Sequence, residues 1–156
     1  MLKNIIEDKQ FGSIMQNSMQ ELMVHFFNKE QNFGVLCSIE HVSFDPVLPE
    51  NINSEFRDLT LFFLGGYTFE TAHIENGYLR FEAGFGSDNF GSVVSIPLLA
   101  ILQIIVDDTP VMINLAKYQE QEDEELTLED KKIDSSGVKN SMASFLSNPE
   151  NSKFIK

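Results

Sequence analysis

The sequence contains one cysteine, Cys37, in 156 residues. A single thiol cannot form an internal disulfide, and such sparing use of cysteine fits a reducing compartment. Basic residues are also scarce, 11 Lys+Arg against 24 Asp+Glu, for a formal net charge of -13. Nonspecific nucleic-acid binding needs clustered cations to neutralise phosphates, so this balance argues against it. An anionic membrane surface would repel the chain for the same reason. Long apolar runs are missing too. The longest, residues 96–106, contains Pro97 and is broken by Gln103, well short of the roughly 18 residues that would suggest a membrane-spanning helix. The N-terminal residues reach Glu7 and Asp8 before any apolar core of signal-peptide length. The expectation is a soluble, cytoplasmic protein.

Apolar residues make up 42% of the chain, enough for one core in one domain of ordinary size. They are unevenly placed. Residues 1–116 hold twelve of the 14 phenylalanines, whereas residues 120–130 hold seven acids in eleven positions. That run buries too little apolar surface to offset the entropy of ordering. The composition therefore divides the chain into a folded part, 1–116, an acidic linker, 117–149, and a terminal peptide, 150–156. A short exposed helix over 126–132 is the alternative within the linker. At the end, Phe154 and Ile155 stand between Lys153 and Lys156, an apolar pair that either packs back on its own domain or serves a partner.

Within the folded part, Ser13 and Gln16 read as a capping box that opens a helix. Met15, Met19, Leu22, Met23, Phe26 and Phe27 follow at spacings of three and four, forming one apolar stripe, with Asn32 and Gly34 as the stop. The stripe suits packing on its own domain or a dimer seam. Strand periodicity then takes over at 35–42, 59–64, 67–74, 78–85 and 90–96. Asn76-Gly77 and residues 86–89 are hairpin turns. Ser95 and Pro97 suit the start of a helix over 98–106, and a last strand runs over 111–115. One helix followed by short, mostly antiparallel strands predicts a mainly β protein, a small, strongly bent sheet or barrel.

Chemistry is hard to find in this pattern. His25, His41 and His73 fall in different elements without ligand spacing, and Cys37 has no partner cysteine. Gly84, Gly86 and Gly91 precede no Gly-Lys-Ser/Thr and join two strands, unlike a phosphate loop. The acidic pairs Asp107/Asp108 and Glu120/Glu122 read as solvated charges. No nucleophile, base and orienting group assemble, so neither catalysis nor a cofactor or metal is expected. Binding remains. Gly65-Gly66 between strand segments, and Ala83 and Gly84 near the end of another, expose backbone that an extended peptide could pair with. Phe62, Leu64, Tyr67, Phe81 and Phe85 would supply apolar pockets. Relief of crowding at barrel corners explains the same glycines equally well.

Three stretches carry a family resemblance: Asp58-Leu-Thr-Leu-Phe-Phe-Leu64, Leu79-Arg-Phe-Glu-Ala-Gly-Phe-Gly86, and Val93-Val-Ser-Ile-Pro-Leu-Leu-Ala-Ile-Leu102. In order and spacing they resemble the stringent starvation protein B (SspB) family, bacterial adaptors of the ClpXP protease, over residues 12–116. The resemblance implies an Sm-like β-barrel whose groove takes the ssrA degradation tag, an extended peptide. It also implies a homodimer through the N-terminal helix, with Met15, Met19, Leu22, Met23 and Phe26 at the seam. Ser152-Lys-Phe-Ile-Lys156 is similar to the family's terminal peptide, which docks on the N-terminal domain of ClpX. The loop at Gly65-Gly66-Tyr67 departs from the family, which often carries a basic or histidine residue there. The competing expectation is an Sm-like RNA-binding or translation-associated module, and an enzyme with an unrecognised site is the third.

Overall fold

In a computed structural model the chain divides after Tyr118, and residues 1–119 are described. The N-terminal helix begins earlier than the capping-box reading suggests. A short helix α1 (Leu2–Ile6) leads into α2 (Lys9–Asn28), and Asp8 caps α2 by accepting a hydrogen bond from the Gln10 amide at 3.3 Å. Ser13 and Gln16 therefore lie inside the helix. Its C-terminus is a Schellman turn: the Glu30 and Gln31 amides donate to the Phe27 and Phe26 carbonyls, with Glu30 in the left-handed region at φ 56°. The helix thus ends before Asn32, and Gly34 belongs to the following strand.

Eight strands follow. They are β1 (Phe33–Ser38), β2 (Ser43–Asp45), β3 (Leu59–Leu64), β4 (His73–Glu75), β5 (Tyr78–Phe85), β6 (Phe90–Pro97), β7 (Ile101–Val106) and β8 (Thr109–Ile113). Two short helices, α3 (Glu50–Asn53) and α4 (Tyr67–Thr71), interrupt them. All pairing is antiparallel and gives two four-stranded sheets, β3-β1-β7-β8 and β2-β6-β5-β4. Among the described residues no ladder joins one sheet to the other. The expectation of antiparallel strands after an N-terminal helix holds. A single closed barrel does not describe this hydrogen bonding.

The expected strand over 35–42 stops at Ser38, where a 3-10 turn, Ile39–His41, takes over, and two further elements change type. The expected strand over 67–74 is mostly α4, because Gly66 at φ 64° turns the chain and the Glu70 amide donates back to the Gly66 carbonyl at 2.9 Å. The expected helix over 98–106 is one 3-10 turn, Leu98–Ala100, and then β7. Ile101, Ile104, Ile105 and Val106 are β-branched, and their stiff side chains favour a pleated surface. The hairpin turns fall where expected, with Asn76 and Gly77 at φ 51° and 80°. Asp107 and Asp108 serve a third such turn, both left-handed, between β7 and β8.

One core lies between the inner faces of the sheets and α2. It combines Val35, Leu64 and Ile104 from one sheet with Leu79, Phe81 and Ile96 from the other. Met19 and Met23 of α2 are buried in it at 1% and 0% exposure, and Leu22, Phe26 and Phe27 pack against it. The helix stripe is therefore turned inward, and at Met19 and Met23 it cannot also form an outward dimer seam. The phenylalanines settle into two groups of ring contacts. Phe33 meets Phe26, Phe27 and Phe69 beside the helix, while Phe44, Phe56, Phe62, Phe81 and Phe85 form a chain of contacts at the other end. The outer face of the first sheet is unlike the rest of the surface: Leu59, Leu61, Phe63, Val111 and Ile113 are each about half exposed or more.

Candidate functional site

A cavity of about 690 Å³ opens on the second sheet. Its floor follows from strand pairing. Glu82 stands opposite Val93 and Gly84 opposite Gly91, and Asp45 of β2 also faces Val93. Side chains alternate along a strand, so Glu82, Gly84, Gly91, Val93 and Asp45 share the outer face. Phe81, Ala83 and Phe85 share the inner one. Two glycines directly across from each other lower the floor, and the Asn89 side chain lies over Gly84. A Cβ added at Gly91 would meet no atom within 4 Å, whereas one at Gly84 would collide with the Asn89 side chain.

The walls come from neighbouring segments. On one side Asp45 and Pro46 close the cavity, and the Pro46 carbonyl accepts from the Ser92 hydroxyl at 2.8 Å. On the other stands the start of α4. The Thr68 hydroxyl donates to the Gly65 carbonyl at 2.8 Å and accepts from the Gly65 amide at 3.0 Å, fixing the turn out of β3. The Thr71 hydroxyl accepts from the Glu82 amide at 2.9 Å, which ties α4 to the edge of β5. These two clamps set Tyr67 so that its hydroxyl donates to the Glu82 carboxylate. That hydrogen bond, then the charge of Glu82 itself, holds the Tyr67 hydroxyl above its ordinary pKa, so it remains a donor.

β4 pairs with β5 over Tyr78, Leu79 and Arg80 alone. Among the described residues no strand lies beside the outer edge of β5 from Phe81 onward, and α4 takes the Glu82 amide there through the Thr71 hydroxyl. Beyond α4, a strand edge without a partner presents the backbone donors and acceptors that an extended peptide uses. Here the edge runs beside the glycine floor.

Of the nine residues expected at the groove, Gly65, Tyr67, Ala83 and Gly84 line this cavity. Phe62, Leu64 and Phe81 do not, because they are buried in the core. Phe85 packs edge-on against Phe44, on the inner face. Gly66 borders a separate cavity with Phe27, Asn32 and Phe69. The wall and floor residues Asp45, Pro46, Thr68, Glu82, Asn89, Gly91, Ser92 and Val93 went unread. The strand alternation that put Phe81, Ala83 and Phe85 on one face places Glu82 and Gly84 on the other, and that second face was the one to follow. The expected docking residues Lys153, Phe154, Ile155 and Lys156 lie outside the described residues.

No protein-family model matches this chain, and no curated protein matches it significantly. Among the described residues no helix is long and apolar enough to cross a membrane. In the same residues no three His, Cys, Asp or Glu gather as a metal ion would require.

Proposed function

We propose that this chain is a non-enzymatic protease adaptor of the SspB type. The cavity on the second sheet captures an extended peptide degron of the ssrA kind, and residues 150–156 dock on the ClpX ATPase. The observation that carries the reading is the pair of glycines in the floor, Gly84 opposite Gly91, beside the stretch of β5 that has no strand partner among the described residues. An extended backbone can approach such a floor closely and pair along such an edge. On this reading the two sheets are a form of the Sm-like bent barrel. Two weak contacts joined by a leash raise the local concentration of substrate at the ATPase, which supplies the energy. A homodimer belongs to the same reading, with the half-buried Met15, Leu22 and Phe26 as the members of the stripe left to meet a second copy. An RNA-binding role finds less support, since the charged residues lining the cavity are Asp45 and Glu82 and phosphates need cations.

Gly91→Phe tests the groove. The new side chain projects from the floor into open space, and phenylalanine suits a strand, so the fold should persist with an unchanged melting temperature. The affinity for a fluorescent ssrA-type peptide should fall at least ~10-fold, about 1.4 kcal/mol. An unchanged affinity with the fold intact would place the peptide site elsewhere.

A further inference from the structure

We infer that the outer face of the first sheet binds a second copy of this chain, in a contact that salt strengthens. The inference stands apart from the peptide groove, which opens on the other sheet. Leu59, Leu61 and Phe63 of β3 form one ridge of this face, at 50%, 54% and 64% exposure. Val111 and Ile113 of β8 form a second, at 48% and 56%. Between the ridges β1 and β7 run lower, with Gly34 opposite Phe63 and the half-buried Leu36 opposite Leu61. No residue paired across these four strands is charged. Five large side chains at about half exposure open on the order of 500 Å² of apolar surface, the upper end of what a monomer leaves to water. A standard interface covers about 800 Å² a side, and the lower rows between the ridges add to the five.

Three features fit this face to its own copy. It holds no charge for a charged partner to pair with, so its complement is another uncharged face. Its relief is ridge and valley: about a two-fold axis, the β3 ridge of one copy lies against the lower rows of the other, as facing sheets interdigitate. Gly34 keeps the valley low, and the Leu61 Cδ1 is already 3.1 Å from where a Cβ would stand there. The third feature is Gln103, opposite both Leu36 and Ile113. It is half-buried, and its side chain makes no hydrogen bond among the described residues. An amide carries donors and an acceptor together, so the same group of a second copy can satisfy it. Charge opposes the contact. Each copy brings a net charge of -13, with Asp58 at one end of the face and Asp107 and Asp108 at the other. Salt screens that repulsion and leaves the apolar contact intact.

The test is sedimentation of the full-length protein at about 1 to 100 μM, in about 0.05 M and about 0.5 M salt. Self-association should tighten at least ~10-fold between the two salts. Leu61→Lys should weaken it at least ~10-fold in both, even though the substitution moves the net charge towards zero. Val47→Lys, exposed but off this face, should leave it unchanged. Where α2 also pairs, Leu61→Lys cuts a tetramer to a dimer; otherwise it cuts a dimer to a monomer. Lysine suits an edge strand, so the melting temperature should hold, and Ile113→Lys puts the same question to the other ridge. A chain that stays monomeric at the highest concentration in high salt overturns the inference. Association untouched by either lysine also overturns it and puts the seam on α2 or elsewhere. Association that weakens as salt is added does the same, because charge pairing would then hold the copies together.

Discussion

At the scale of single residues, Cys37 shows how far the core controls chemistry. Its thiol is buried in β1 and donates to the Thr60 carbonyl at 3.6 Å. Burial pushes its pKa from 9.0 to about 12. The folded chain therefore keeps a proton that the unfolded chain releases from about pH 9 upward. The stability this contributes is complete below pH 9 and is lost as pH rises towards 12, at no more than about 1.4 kcal/mol per pH unit. Denaturant midpoints measured across that range should fall less steeply for Cys37→Ala than for the wild type. Equal slopes would mean the thiol is more open than its burial indicates. At neutral pH the same thiol should resist an aromatic disulfide reagent until the sheet opens, since the thiolate is the nucleophile.

At the scale of elements, the end of α2 is held by a residue that fits it poorly. Glu30 occupies the left-handed position of the Schellman turn, where a Cβ costs about 1–2 kcal/mol and glycine is the usual occupant. Glu30→Gly should raise stability by roughly 0.5–1 kcal/mol once the extra freedom of the unfolded chain is subtracted. A thermal melt that moves downward would show the side chain doing something this turn does not reveal. Local rules made much of this fold legible: the stripe of α2, the Asn76-Gly77 turn and the alternation of β5 all follow from short-range periodicity. The misread elements needed context. Gly66 could interrupt a strand or start a turn, and the Thr68 and Thr71 hydroxyls decided it through partners at Gly65 and Glu82. The site was half legible for a similar reason. Aromatic residues draw the eye, yet in β5 they mark the core face, and the opening lies on the face that alternation leaves to Glu82 and Gly84. Which face is roofed depends on α4 and Asp45, which are distant in sequence.

For the whole molecule, the proposal separates capture from delivery. The cavity's lining runs from Asp45 to Val93, and among the described residues the core is built from α2 and the two sheets. Removing residues 150–156 should therefore leave the melting temperature and peptide binding nearly unchanged while abolishing stimulation of ClpXP at low substrate concentration. A clearly lower melting temperature, or full stimulation by the truncated chain, would show that the terminal peptide is not a tether. One further property comes from the outer face of the first sheet. Leu59, Leu61, Phe63, Val111 and Ile113 lie on an area without a charged neighbour in register, where β3 and β8 flank Leu36 and Gln103. The chain as a whole carries a net charge of -13. In colloidal terms that face sheds water on an otherwise strongly anionic chain. At an air–water boundary it would orient with that sheet towards the air, and near its isoelectric point, about pH 4.5, nothing would hold neighbouring apolar faces apart.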